Sequence, residues 1–146
     1  MGEGIIVAVL DNGIDPCHVS YTDDGMPPPA RQVAGQMAPR AHLASYEVCF
    51  EDTCPSTKQL IAIEQGAFVD GVDVISISPG DDTQKPFYKD LTAVGSFSTV
   101  MSGVFVSTSA GNSGSDLGIV TNCVPHEGGL GGAADWEEQW RAYFYA

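Results

Sequence analysis

The sequence predicts an α/β fold, a short parallel sheet flanked by helices, and three observations predict it. Four short segments are continuously apolar rather than alternating, the pattern of strands covered on both faces. They are Ile5–Leu10, His42–Val48, Val72–Ser78 and Gly103–Ser109. Two segments of helical periodicity separate the last three, giving the strand–helix–strand order of right-handed crossovers. The chain has 146 residues and a hydrophobic fraction of 43%, which suits one domain with its own core and is too apolar for a disordered chain.

The first strand leaves Gly2-Glu3-Gly4 and stops at Asp11-Asn12-Gly13, a turn sequence. The connection to the second strand is unusual. It contains Asp23-Asp24-Gly25-Met26-Pro27-Pro28-Pro29 and has no helical period. A parallel connection ordinarily carries a covering helix, so one face of the sheet is expected to be bare near the first strand. The first helix is predicted from about Thr57 to Val69. Ser56 with Gln59 suggests a capping box, Leu60, Ile63 and Ala67 form a stripe, and Gly71 marks the stop. The second is predicted from about Asp90 to Ser102, with Asp90 as cap, Gly103 as stop, and Leu91, Val94, Phe97 and Met101 along one face.

The sequence changes character after Pro125, so two units are expected, residues 1–125 and 126–146. Gly128-Gly129-Leu130-Gly131-Gly132 reads as a linker. Without a preceding strand it is not a dinucleotide motif, and no cofactor is expected. In the segment 135–145, Trp136, Trp140, Tyr143 and Phe144 share one helical face. Three readings stay open: the face covers the protein's own sheet, it docks on a partner, or the segment is a disordered tail.

Lys+Arg number 6 against Asp+Glu 19, a formal net charge of −13. That disfavours nucleic acid and anionic membrane surfaces, both gripped by Lys and Arg. No apolar run approaches the roughly 18 to 20 residues of a membrane span. The acidic start and the six-residue apolar run that follows lack the form of a secretory signal. An intracellular location is therefore favoured, with an extracellular one if the chain is a piece of a secreted precursor. The four cysteines, Cys17, Cys49, Cys54 and Cys123, match no paired zinc pattern, and no metal is expected. Cys49 and Cys54 bracket a short polar loop and can close a small disulfide, although free thiols are favoured where no export signal is seen.

In open α/β sheets, functional groups gather at the carboxyl ends of strands. Here those ends carry Asp11-Asn12-Gly13, Ser76-Ile77-Ser78-Pro79-Gly80 and Ser109-Ala110-Gly111-Asn112-Ser113-Gly114. On composition alone, Asp11 and Asn112 read as turn residues. The wording of the segments says more. Gly4 to Asp15, Met37 to Cys49, Asp70 to Ser78 and Ser109 to Gly114 resemble, in order, four blocks of the subtilisin-like serine proteases of plant type. The similarity covers about residues 2–125.

The resemblance implies a partial subtilisin-like domain descended from a Ser-His-Asp peptidase, in which an Asp orients a His, the His activates a Ser, and an Asn amide helps hold the oxyanion. By position, Asp11 matches the triad acid and Asn112 the oxyanion-hole amide. Ser76, Ile77, Ser78, Pro79 and Gly80 match the strand that pairs with substrate and walls its pocket. Asn12 stands where Thr is usual. Pro79 stands where Leu is usual and removes a backbone donor from the substrate edge. The family's Gly-His-Gly-Thr-His block would fall between the first two segments, yet only Ala30 to Gln36 bridge Pro29 and Met37, and none is His. The nucleophile block, Gly-Thr-Ser-Met in the family, would lie far downstream. His18 and His42 fall on non-catalytic positions, and His126 opens the divergent segment. The expectation is a truncated, internally deleted homologue without peptidase activity, binding a peptide or protein partner if it acts at all. A complete or split serine endopeptidase and a non-functional remnant are the alternatives.

Overall fold

The computed structural model describes residues 2–18, 21, 40–51, 53–80, 85–109, 124–126 and 129–131. Each predicted strand forms within two residues of its expected ends: β1 at Ile6–Asp11, β2 at His42–Glu47, β3 at Val74–Ile77 and β4 at Phe105–Thr108. All pair in parallel in the order β2-β1-β3-β4. β1 and β3 are thus the central strands, as their apolar sequences require.

Side chains alternate across a strand, so register decides what is buried. Ala8 and Leu10 of β1 and Ile75 and Ile77 of β3 share one face and are buried. With Ala62, Ile63, Val48, Cys49 and Val72 they make the core. Val7, Val9, Val74 and Ser76 point the other way and are half-buried. The expected bare face near the first strand is thus a half-buried one.

The first helix, α1, spans Ser56–Glu64, widens into a π-helical turn over Gln65–Asp70, and closes on Gly71 at φ 68°. The bounds, the stop and the inward stripe of Leu60, Ile63 and Ala67 are as expected. The capping box does not form: Pro55 holds the N-cap position and contributes no side-chain cap. Gln59 instead turns inward. Its Nε2 donates to the Cys54 carbonyl at 3.0 Å, and its Oε1 accepts from Thr92 Oγ1 at 3.1 Å. A buried amide needs partners at both ends, and here they join the helix entry to the second helix. The π turn puts Asp70 within reach of β2, where Tyr46 Oη donates to Asp70 Oδ2 at 2.6 Å and Gln65 Nε2 donates to Oδ1 at 3.1 Å.

A 3₁₀ turn at Phe87–Lys89 leads into α2, Leu91–Met101. Asp90 caps it as predicted, accepting from Thr92 N at 3.0 Å and Ala93 N at 3.2 Å. The buried side of α2 is not the predicted stripe. It carries Ala93, Gly95, Ser96 and Thr99, while Leu91, Val94, Phe97 and Met101 are 37–57% exposed. The small residues lie where α2 meets α1. A Cβ on Gly95 would lie 2.6 Å from Leu60 Cδ1, so a side chain there would have to displace the end of Leu60. Past β4, β5 (Val124–His126) and β6 (Gly129–Gly131) form an antiparallel hairpin, with β5 against α2. The expected boundary between residues 125 and 126 falls inside this hairpin.

Candidate functional site

Asp11 ends a central strand, so its carboxylate stands at the middle of the sheet's carboxyl rim. It is half-buried, and its Oδ1 accepts from the Asn12 backbone N–H at 2.9 Å. The Asp11 carbonyl accepts from Val48 N at 2.9 Å and from Cys49 N at 3.4 Å, which fixes the end of β2 beside it. Cys49 and Cys54 are joined by a disulfide. The expectation of free thiols gives way to a bond across a four-residue hairpin, in which Phe50 and Thr53 exchange backbone hydrogen bonds of 2.8 and 3.0 Å. Cys17 is free and exposed.

The structure separates the five residues Ser76 to Gly80 into two groups. Ser76 and Ile77 lie inside β3, between β1 and β4, with their backbone committed to the sheet. Only Ser78, Pro79 and Gly80 extend past it. Ser78 N donates to Leu10 O at 3.4 Å, and the Ser78 carbonyl accepts from Ser109 Oγ at 2.7 Å. Pro79 is buried and brings no N–H. At this edge Pro79 therefore cannot donate to an extended peptide, and the Ser78 carbonyl already takes one donor. Asn112 lies outside the described residues.

One rim residue escaped the sequence reading. Glu47 is the register partner of Asp11 and lies along Gly13, where φ is +91° and a Cβ would sit 3.7 Å from the Glu47 side chain. The parallel register carries that signal, because the ends of the first two strands align once Ile6 faces His42. Ser109 stands on the rim as read from the sequence, and its bond to Ser78 is what the structure adds.

His42 and His18 are placed elsewhere. His42 opens β2, buried, at the opposite end of the sheet. Five strand positions separate it from the level of Asp11, about 16 Å at ~3.3 Å per residue. His18 stacks edge-to-face on Tyr21, with centroids 6.3 Å apart. Among the described residues, no imidazole bonds to the Asp11 carboxylate.

Tyr46, below the rim, is held protonated. Its burial and its bond to the Asp70 carboxylate both push its pKa above the ordinary value.

A parallel sheet with two helices on one face and an acid at the end of a central strand defines an α/β domain of the subtilisin fold. Solved structures share it. Sphericase aligns at a TM-score of 0.60 and 23% identity, covering 87% of this chain and 51% of that one. A lanthipeptide protease aligns at 0.55 and 23%, covering 76% and 40%. No family model matches the chain. Its sequence is 44% identical over 98 residues to subtilisin-like protease SBT1.6 of Arabidopsis thaliana, 66% of this chain and 13% of the relative. It is 46% identical over 96 residues to SBT1.5 of the same plant, 66% and 12%. It is 45% identical over 89 residues to SBT3 of Solanum lycopersicum, 61% and 11%. This chain is a homologue of the plant subtilisin-like proteases, and it spans about an eighth of the length of SBT1.6 and SBT1.5.

Proposed function

We propose that this chain is a subtilisin-like protease homologue without peptidase activity, which serves as a binding protein for a peptide or protein partner. One observation carries the reading. The residue at the triad-acid position, Asp11, keeps its place at the rim, but its carboxylate turns to the Asn12 N–H and has no described imidazole partner. The bridge Ala30 to Gln36 supplies no His either. In this chemistry the acid works only through an imidazole. Loss of the His alone removes roughly 10⁶-fold in rate, a magnitude carried over from subtilisin itself.

The occupied Ser78 carbonyl and Pro79 support the same conclusion, because they weaken the edge on which a substrate would align. The Cys49–Cys54 bond fits residence in an oxidising compartment.

The second reading is a serine endopeptidase, as a whole or split active site. The identity of 44% to a plant protease and the retained Asp11 favour it. A serine-reactive fluorophosphonate probe separates the two. The purified chain is expected to stay unlabelled. Labelling that disappears in Asp11→Ala would instead establish the endopeptidase reading.

A further inference from the structure

The outer face of α2 is a feature of the fold that the site does not explain. Leu91, Val94, Phe97 and Met101 form one stripe, each more than a third exposed. Phe87 extends it, meeting Phe97 edge-to-face with centroids 6.0 Å apart. Beside it, α1 packs against α2 and exposes Ile61 and Phe68. The side of α2 turned inward carries Ser96 and Thr99, both fully buried, and their hydroxyls have no hydrogen-bond partner among the described residues. The helix thus buries polar groups at a cost and turns apolar ones to solvent, the reverse of a surface helix in a lone domain. Apolar patches and broken local rules of this kind mark contact surfaces.

We propose that this face is a contact between two copies of the chain, α2 packed on α2 about a two-fold axis. Three observations select a second copy. The first is charge. The chain has a formal net charge of −13, so two copies repel wherever their surfaces bring carboxylates together. α2 carries no ionisable residue in its 11 positions, and two copies can meet there without opposing charges. The second is symmetry. A two-fold contact sets a patch against itself, so the patch must be self-complementary. An uncharged apolar stripe meets that condition, and antiparallel packing brings the Leu91 end of one stripe to the Met101 end of the other. The third is area. At roughly 200 Å² for a whole side chain of this size, the stripe with Phe87, Ile61 and Phe68 exposes on the order of 600 Å². A standard interface buries about 800 Å² per partner, so this is the scale of a reversible dimer. The aromatic segment 135–145 lies outside the described residues. This contact is independent of any activity at Asp11.

Sedimentation equilibrium of the full chain tests this. A reversible dimer is expected in the micromolar range. Its Kd is expected to fall as NaCl is raised, because salt screens the repulsion between two acidic copies and takes no ion pair from an uncharged contact. Val94→Glu with Met101→Glu places charge on two exposed positions of the stripe. That variant is expected to unfold cooperatively in urea and to sediment as a monomer. The milder Val94→Ser with Met101→Ser is expected to raise the Kd by roughly tenfold or more. A parent chain that is monomeric throughout would overturn the proposal, and would leave the face to other residues of this chain or to a different protein. A dimer that both variants leave intact would also overturn it, by placing the contact on another surface. So would a dimer that salt weakens, which would assign the contact to ion pairs.

Discussion

At the scale of single residues, Tyr46 makes the most specific prediction. Its hydroxyl donates to Asp70, and burial with that carboxylate raises its pKa above the usual value, about 10 for a free tyrosine. The folded state therefore holds this proton more tightly than the unfolded chain. The sign follows from linkage: the contribution is complete below pH ~10 and is lost as pH rises beyond it. Tyr46→Phe should lower stability at neutral pH and flatten its alkaline decline, read from urea midpoints between pH 8 and 11. An unchanged alkaline slope would show that the pair does not contribute. Core residues act through volume alone. Ile75→Ala, at a fully buried position, should cost about 2–5 kcal/mol by denaturant titration. Asp11 was legible in the sequence because a strand and a turn fix where it sits. Glu47 was not, because its place beside Asp11 follows from the pairing of two strands separated by a long connection. Linear text does not show such pairing.

At the scale of elements, the cap of α2, the stops of both helices and the face of α1 were readable, and the start of α1 and the packing of α2 were not. Asp90 caps α2 through Thr92 N and Ala93 N as its sequence suggests, so Asp90→Ala should cost about 1 kcal/mol in thermal or urea unfolding. The α2 stripe was found as one face of the helix, and the structure turns that face outward. Periodicity identifies a face without saying what lies against it, and at Gly95 it is Leu60 that lies close. Gln59 was assigned to a capping box by spacing. Its amide is instead used to join Cys54 to Thr92. The same junction holds the disulfide. A closed loop of this size contributes roughly 2 kcal/mol through the unfolded chain, so a dithiol should lower Tm while the sheet persists by circular dichroism. No change in Tm would mean that the Cys49–Cys54 bond is absent in solution.

At the scale of the whole molecule, the sheet order β2-β1-β3-β4 brings the ends of separate strands to one rim. Four apolar runs and two intervening helices made that architecture readable. The resemblance of the blocks around Asp11 and Ser78 made the family readable as well. What the molecule does with the rim depends on whether Asp11, which has no imidazole partner among the described residues, can still drive acyl chemistry. The decisive measurement is hydrolysis of a mixed peptide library by the purified chain, followed by mass spectrometry beside Asp11→Ala. The account predicts no products above the buffer control for either protein. Cleavage by the parent chain that Asp11→Ala abolishes would contradict it.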